Sequence, residues 1–307
     1  MKALLLTAGF GTRLKPLTFS QAKASLPLLN TPFVRYPLRY LHANHVTDAV
    51  LNLHAHPDTV RSAAGNHYGD INIEYSHEPE ILGTAGAMRK AAPLLGQDPF
   101  IVMNGDMLLD VPLQQLKEQH IRTGAAVTLV IMKSEAYQRY KGLYFHTTES
   151  DHVPVLTGIR EEYGEKYHYT GLQMVNPEIL RLIPENQKAE IFDRLYPELM
   201  KDGRIRGYIY DGSWIEIGTL HEYLTSSLQL LSHPLPLHLQ PLGMTSSLIS
   251  PNAKIEEGAA VSDSIVMEGA VVRAGAMIER CIVGRNTVVT GKHRKAALVR
   301  GVIPWHF

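Results

Sequence analysis

Apolar and polar positions follow two successive periods along this chain, and the change of period divides it. Up to about residue 130, apolar runs of strand length alternate with stretches in which apolar residues return at helical spacing. Residues 3–6, 49–53, 71–75, 100–103 and 126–131 predict strands, and 34–44, 59–67, 86–95 and 113–123 predict helices. The alternation specifies an α/β fold, a mostly parallel sheet flanked by helices, in which ligands bind beyond the carboxyl ends of the strands. Between residues 133 and 169 the pattern weakens and charge gathers at 160–166, which reads as a solvated hairpin or loop. Residues 178–183, 191–201 and 221–231 read as helices, and 207–210 as a strand. The alternating prolines of His233-Pro-Leu-Pro-Leu-His238 forbid helix and mark a linker. After it the apolar period becomes six: Ile249, Ile255, Val261; then Ile265, Val271, Met277; then Ile282, Val288, with Gly-Ala pairs at 258, 269 and 275. One apolar position per face in short stacked repeats describes a parallel β-helix. Two to three coils are too few to bury much surface alone, so the stack is expected to pack on the preceding domain or on another subunit. The expected division is 1–232, a linker at 233–244, the β-helix at 245–292 and a tail at 293–307.

Composition narrows the function. At 307 residues with 45% hydrophobic and 20% charged positions the chain suits a large domain plus a small one. Lys plus Arg equal Asp plus Glu at thirty each, so there is no basic excess for a nucleic-acid partner, and positive charge must serve a small anion. The lone Cys281 permits no internal disulfide framework, and a reducing cytoplasm is the expected compartment. Ala3 to Leu6 is cut short by Gly9, Gly11 and Arg13, and so reads as a core strand rather than a signal peptide. No apolar run reaches the roughly 18 residues of a membrane span.

The chemistry concentrates where the first strand ends. Thr7-Ala-Gly-Phe-Gly-Thr-Arg-Leu14 is a glycine turn at which backbone N–H groups approach an anion, and Arg13 and Lys23 bring charge to the same phosphates. A dinucleotide fingerprint would need glycine at Leu14, and a P-loop would need Gly-Lys-Ser/Thr; neither is present. Asp106 follows an apolar strand in Met103-Asn-Gly-Asp106, at the ligand edge of the sheet. No Gly-x-Ser-x-Gly elbow appears, and the His54-x-His56 pair lacks a third ligand and reads as a loop feature.

The segment from Leu6 to Thr18, read with Lys23, resembles the signature of the sugar-1-phosphate nucleotidyltransferases. Leu82-Gly-Thr-Ala-Gly-Ala87, Asn104-Gly-Asp106, Thr170-Gly-Leu-Gln-Met-Val-Asn-Pro177 and Trp214-Ile-Glu-Ile-Gly-Thr219 extend the resemblance in order. The six-residue repeats carry it toward the mannose-1-phosphate guanylyltransferase branch. It implies a Rossmann-like domain with a left-handed β-helix, and attack by a sugar 1-phosphate on the α-phosphorus of a nucleoside triphosphate with release of pyrophosphate. Such a reaction requires alignment and charge neutralisation rather than a covalent nucleophile.

By this resemblance Arg13, Lys23 and Asp106 are catalytic, and Leu6, Ala8, Gly9, Gly11, Thr12, Glu78, Gly83 and Thr84 line the nucleotide, the helix opened by Gly83 adding a favourable dipole. Gly105, Arg160, Lys166 and Gly171 join Lys23 around the sugar phosphate. Mg²⁺ is the implied cofactor, held by Asp106 and Glu216, although Glu216 stands where relatives have aspartate. A Glu-Lys-Pro segment common in the family is replaced by Arg160-Glu161-Glu162, leaving Arg160 or Lys166 to supply the cation. Glu78 could accept from the N1–H and amino group of guanine, which favours GTP with mannose 1-phosphate or a related heptose phosphate. Uridylyl, thymidylyl, cytidylyl or adenylyl transfer, and a catalytically weak regulatory homologue, stay open. An acyltransferase would need a longer stack and a placed histidine, whereas His293 is expected beyond the last coil. A homo-oligomer is expected.

Overall fold

In the computed structural model, the structure describes residues 1–133, 142–147, 152–159, 164–242, 247–302 and 304–307. The first half runs β1 (Lys2–Leu6), β2 (Pro27–Leu28), β3 (Thr31–Pro32), α1 (Arg35–Ala43), β4 (Asp48–Leu53), α2 (Pro57–Ala64), β5 (His67–Tyr68), β6 (Ile71–His77), α3 (Gly83–Leu95), β7 (Phe100–Asn104), β8 (Met107–Leu109), α4 (Leu113–Thr123) and β9 (Val127–Met132). It continues with β10 (Leu143–His146), β11 (Val155–Gly158), β12 (Glu165–Val175), α5 (Tyr196–Lys201), β13 (Ile205–Ile209), β14 (Trp214–Glu216) and α6 (Leu220–Ser232).

The main sheet has the order β10-β11-β13-β9-β12-β7-β1-β4-β6-β5. Its β7-β1-β4-β6 part is parallel, and β9 pairs parallel to β13. Strands β1, β4, β6 and β7 thus give the expected parallel arrangement, and the sheet becomes mixed where β12 enters antiparallel between β7 and β9. The weakly patterned segment after residue 133 supplies β10, β11 and the start of β12; antiparallel neighbours need no helical crossover and leave no βα signature. Alternation along β1 divides the interior: Ala3 and Leu5 face a layer with Leu38, Leu41, Val60 and Leu116, whereas Leu4 faces Ala85, Met88, Ala91 and Leu95 of α3. Residues expected as one helix at 178–183 form a 3-10 turn, Pro177–Leu182, and the expected 191–201 helix begins with a π turn, Ile191–Leu195, before α5.

Three parallel ladders form the short left-handed β-helix. Their strands are β15 (Lys254–Ile255), β16 (Ala260–Ser262), β17 (Ile265–Val266), β18 (Val271–Val272), β19 (Met277–Glu279), β20 (Ile282–Val283), β21 (Val288–Val289), β22 (Lys292–Arg294) and β23 (Ala296–Leu298), with β24 (Trp305–His306) antiparallel to β23. Parallel pairing continues past residue 292, through β23, so the expected boundary there is too early. His293 lies within the stack, opposite Ile278, rather than beyond it. Outward residues of one ladder, Ile265, Ile282 and Ala297, pack against Leu14, Leu17, Leu26 and Leu28 and against Leu220 and Tyr223 of α6. The β-helix is therefore docked on the segment that follows β1.

Candidate active site

Leu6 on β1 pairs with Asn52 on β4 and with Asn104 on β7, so three strand ends stand side by side at the carboxyl edge of the sheet. Asn52 organises the mouth of the glycine turn. Its Oδ1 accepts from Thr7 N–H at 2.6 Å and Ala8 N–H at 3.3 Å, and its Nδ2 donates to Glu78 Oε1 at 2.8 Å. Sequence reasoning missed this residue; the signal was one amide inside the apolar run Ala-Val-Leu-Asn-Leu. Glu78 is 1% exposed, and its second oxygen accepts the Leu82 N–H at 2.9 Å. Both of its oxygens are engaged inside the protein, so its contacts bracket the β4 and β6 ends rather than address a base.

Beyond Ala8, which is buried, Gly9 and Thr12 are exposed, and the chain turns at Gly11. Gly11 has φ 59°, and a Cβ there would meet Thr18 Cγ2 at 2.9 Å and Lys23 Cβ at 3.2 Å; the turn closes against the Lys23 stem only without a side chain. Lys23 donates its ammonium to Asp106 Oδ2. Gly105 places that aspartate by donating its N–H to the Leu6 carbonyl at 2.9 Å. The structure thus joins Leu6, Gly11, Lys23, Gly105 and Asp106 in one constellation.

Glu216 reaches the same place by a ladder. β14 pairs antiparallel with β8, setting Glu216 opposite Met107, and the Ile217 N–H faces the Asp106 carbonyl at 3.5 Å. Next comes Gly218, where a Cβ would stand 3.0 Å from Arg13 Nη2 and 3.2 Å from Glu222 Oε2. The exposed Arg13 therefore lies across a bare backbone. Glu222 accepts the Gly218 N–H at 2.8 Å, while its own N–H donates to Thr219 Oγ1 at 3.2 Å, a capping arrangement that fixes the start of α6.

A cavity of about 530 Å³ opens beside these charges, lined by Asn104, His168, Thr170, Glu190, Trp214 and Glu216 among others. Gly171, on its wall, backs directly onto the Asn104 amide. His168 is buried edge-on to Trp214 at 4.5 Å, and burial pushes its imidazole down to about 4, so it is neutral at physiological pH. The Trp214 indole donates to the Thr170 carbonyl at 3.0 Å. Glu190, His168 and Phe192 were not foreseen: His168 and Glu190 lie in weakly patterned stretches, and Phe192 reads in sequence as an ordinary apolar position of the expected 191–201 helix.

The start of α3 behaves differently from expectation. Thr84 N–H faces the Glu190 carboxylate at 3.3 Å, and the N–H groups of Ala85 and Gly86 both donate to the Ala189 carbonyl at 3.0 and 3.1 Å. A carboxylate of the protein itself thus stands at the helix start, beside Gly83, where an anionic ligand was expected. Lys166 is exposed on β12, its ammonium 5.7 Å from the centre of the Tyr144 ring, and is absent from the cavity wall. Arg160, with Glu161 and Glu162, lies outside the described residues. A larger cavity of about 720 Å³ sits away from the charges, between Tyr40, Tyr208, Tyr210 and the linker at His233, sharing Met107 with the first.

Among the described residues no group of three or more His, Cys, Asp or Glu side chains gathers around a metal position. Asp106 immediately precedes β8, and Glu216 stands opposite Met107, the first residue of that strand. Two such carboxylates suit a hard divalent ion that completes its shell with water and phosphate oxygens.

The nucleotidyl transferase family model matches residues 2–233, and a GlmU-like C-terminal hexapeptide model matches 242–294. A mannose-1-phosphate guanyltransferase of Emericella nidulans is 30% identical over 94% of this chain and 87% of its own. A probable mannose-1-phosphate guanylyltransferase 1 of Oryza sativa subsp. japonica is 30% identical over 100% of this chain and 86% of its own. Among solved structures, HddC from Yersinia pseudotuberculosis superposes with a TM-score of 0.62 at 19% identity, covering 75% of this chain and 99% of that one. The UDP-glucose pyrophosphorylase of Acinetobacter baumannii gives 0.64 at 18% identity, covering 76% and 94%. These two likenesses concern the fold. This chain belongs to the nucleotidyl transferase family, the enzymes that join a sugar 1-phosphate to the nucleotidyl group of a nucleoside triphosphate and release pyrophosphate.

Proposed function

We propose that Arg13, Lys23 and Asp106 carry the transfer, and that the preferred pair is GTP with mannose 1-phosphate or a closely related sugar phosphate. The observation that carries the catalytic assignment is the meeting of Lys23, from the loop after β1, with Asp106, from the turn after β7. Arg13 would hold the β- and γ-phosphates with its planar fork and neutralise charge on the pyrophosphate as it leaves. Lys23 would exchange Asp106 for the α-phosphate or the incoming sugar phosphate. Asp106 and Glu216 would hold Mg²⁺, which supplies charge neutralisation at the reacting phosphates. The cavity lined by His168, Glu190 and Trp214 would take the sugar, its wall presenting a neutral imidazole and a carboxylate. Lys166 remains a candidate second cation for the sugar phosphate, reached by movement of its flexible stem.

Support for the guanylyl pair comes from the named relatives, matched along nearly the full length of both chains. Glu78 lends it no support, since its carboxylate is engaged with Asn52 and Leu82. Uridylyl, thymidylyl, cytidylyl and adenylyl transfer therefore belong in the same test. That test is pyrophosphate release with GTP, UTP, dTTP, CTP and ATP, each against a panel of sugar 1-phosphates. Fastest turnover with GTP and mannose 1-phosphate supports the pairing, and preference for another nucleotide replaces it. We further propose self-association through the outward faces of the β-helix, where Met277 and Val288 are 48% and 56% exposed. No helix among the described residues is long and apolar enough to cross a membrane.

A further inference from the structure

The loop that carries both Arg13 and Lys23 has little regular structure of its own. It consists of three single 3-10 turns, Thr12–Leu14, Leu17–Phe19 and Lys23–Ser25. Its inner side is held by Leu14, Leu17 and Leu26 in the cluster shared with α6 and the β-helix. On its outer side Phe19, which falls between Arg13 and Lys23 in the chain, is 50% exposed. Trp305 of β24 meets it, with ring centroids 6.5 Å apart and planes 26° from parallel, an offset stack. The Lys15 ammonium lies 5.5 Å from the centre of the same Phe19 ring. The tryptophan is itself anchored, since it pairs with Ala297 across the β23-β24 hairpin and the Phe307 N–H donates to the Lys295 carbonyl at 3.0 Å.

We propose that Trp305 is a positioning residue: by stacking on Phe19 it holds the loop so that Arg13 and Lys23 are already placed when the triphosphate arrives. This rests on the assignment of Arg13 and Lys23 to the phosphates. The physical basis is that a loop without a continuous hydrogen-bonded ladder samples alternatives, and each contact that removes them lowers the ordering cost of binding. Residues at the β23-β24 hairpin thus act on the loop of Arg13 and Lys23 through one aromatic contact.

The test uses full-length protein and pyrophosphate release with GTP, UTP, dTTP, CTP and ATP offered in turn, followed by kinetics with the triphosphate turned over fastest. Trp305→Ala and Phe19→Ala should each raise its KM by about three- to tenfold and leave kcat within about twofold, from the usual strength of an aromatic pair. The double variant should be no worse than either single one, because both remove the same contact. Trp305→Phe should restore KM, and the melting temperature should move by no more than about 2 °C. An unchanged KM in either single variant overturns the proposal, as do losses that multiply in the double variant. A KM change that follows a fall in melting temperature and is not rescued by Trp305→Phe also overturns it. Wild-type protein inactive with all five triphosphates removes the premise, and the proposal with it; an active wild type matched by Trp305→Ala refutes the positioning role alone.

Discussion

Lys23 and Asp106 meet in a direct ion pair although they are contributed by different strand ends, the loop after β1 and the turn after β7. Each charge answers the other, and a triphosphate with its cation would give each a separate partner. Asp106→Asn should keep the fold and lower kcat by about a hundredfold or more, the scale of losing a charge that steadies a phosphoryl transition state. Pyrophosphate release and a melting curve on the same preparation check this. A folded variant with near-normal release would remove Asp106 from the mechanism.

Arg13 rests across Gly218, so the two positions should fail together. Arg13→Lys keeps the charge but loses the fork that grips two oxygens at once, and Gly218→Ala pushes a methyl to within 3.0 Å of Nη2. Either change should lower kcat/KM for the triphosphate by on the order of tenfold or more. Wild-type kinetics for Arg13→Lys would make that residue a surface cation.

The residues that chemistry makes distinctive were legible in the sequence, and those that hold them in place were not. Gly11, Arg13 and Asp106 stand out because a glycine turn and charged residues follow directly on apolar strands, at the edge of the sheet where ligands bind. Asn52 looks like one polar residue in a strand, and its contacts with Thr7, Ala8 and Glu78 span distances in sequence that periodicity does not see. Glu78 is similar: Glu78-Pro-Glu80 has the composition of a solvated turn, yet its first carboxylate is buried against Asn52 and the Leu82 N–H. The strands β1, β4 and β7 announced themselves as apolar runs because parallel strands are covered on both faces, whereas β6 alternates and shows one covered face. The strands β10 and β11, at one end of the sheet, lie in a weakly patterned stretch beside charged sequence and did not.

Removing the Asn52 amide should therefore weaken the fold before it touches chemistry. Asn52→Ala leaves a buried Glu78 oxygen and the Thr7 N–H without their partner, at a cost of about 1–3 kcal/mol in unfolding free energy. Urea denaturation measures this directly. A variant as stable as wild type would show that water replaces the amide without loss.

His168 should make the protein acid-sensitive. Its folded pKa is depressed to about 4 by burial, below the ordinary value of 6.5, so between these pH values the unfolded chain binds a proton that the folded chain refuses. Stability rises with pH through that window and is lost as pH falls from about 6.5 toward 4, by at most about 1.4 kcal/mol per unit from this group. His120, also lowered chiefly by burial, acts in the same direction. Melting temperatures from pH 7 to 4.5 should fall less steeply in His168→Gln than in wild type. Parallel profiles would show that the imidazole is protonated in the folded protein.

A chain ending within the linker at residues 234–241 retains every residue assigned to catalysis, and from sequence alone it should keep an intact nucleotide site while losing its oligomeric state. The docked β-helix changes the first half of that expectation. Ile265, Ile282 and Ala297 cover Leu14, Leu17, Leu26 and Leu28, the apolar residues beneath the loop of Arg13 and Lys23. Truncation exposes this surface to water, so the shortened protein should melt lower and bind triphosphate more weakly, in addition to any change in subunit number. Light scattering, a melting curve and a triphosphate titration on the same samples separate the effects. Loss of affinity without a change in subunit number makes the β-helix a brace within one chain. Loss of association with unchanged affinity makes it an assembly element and leaves the loop self-supporting.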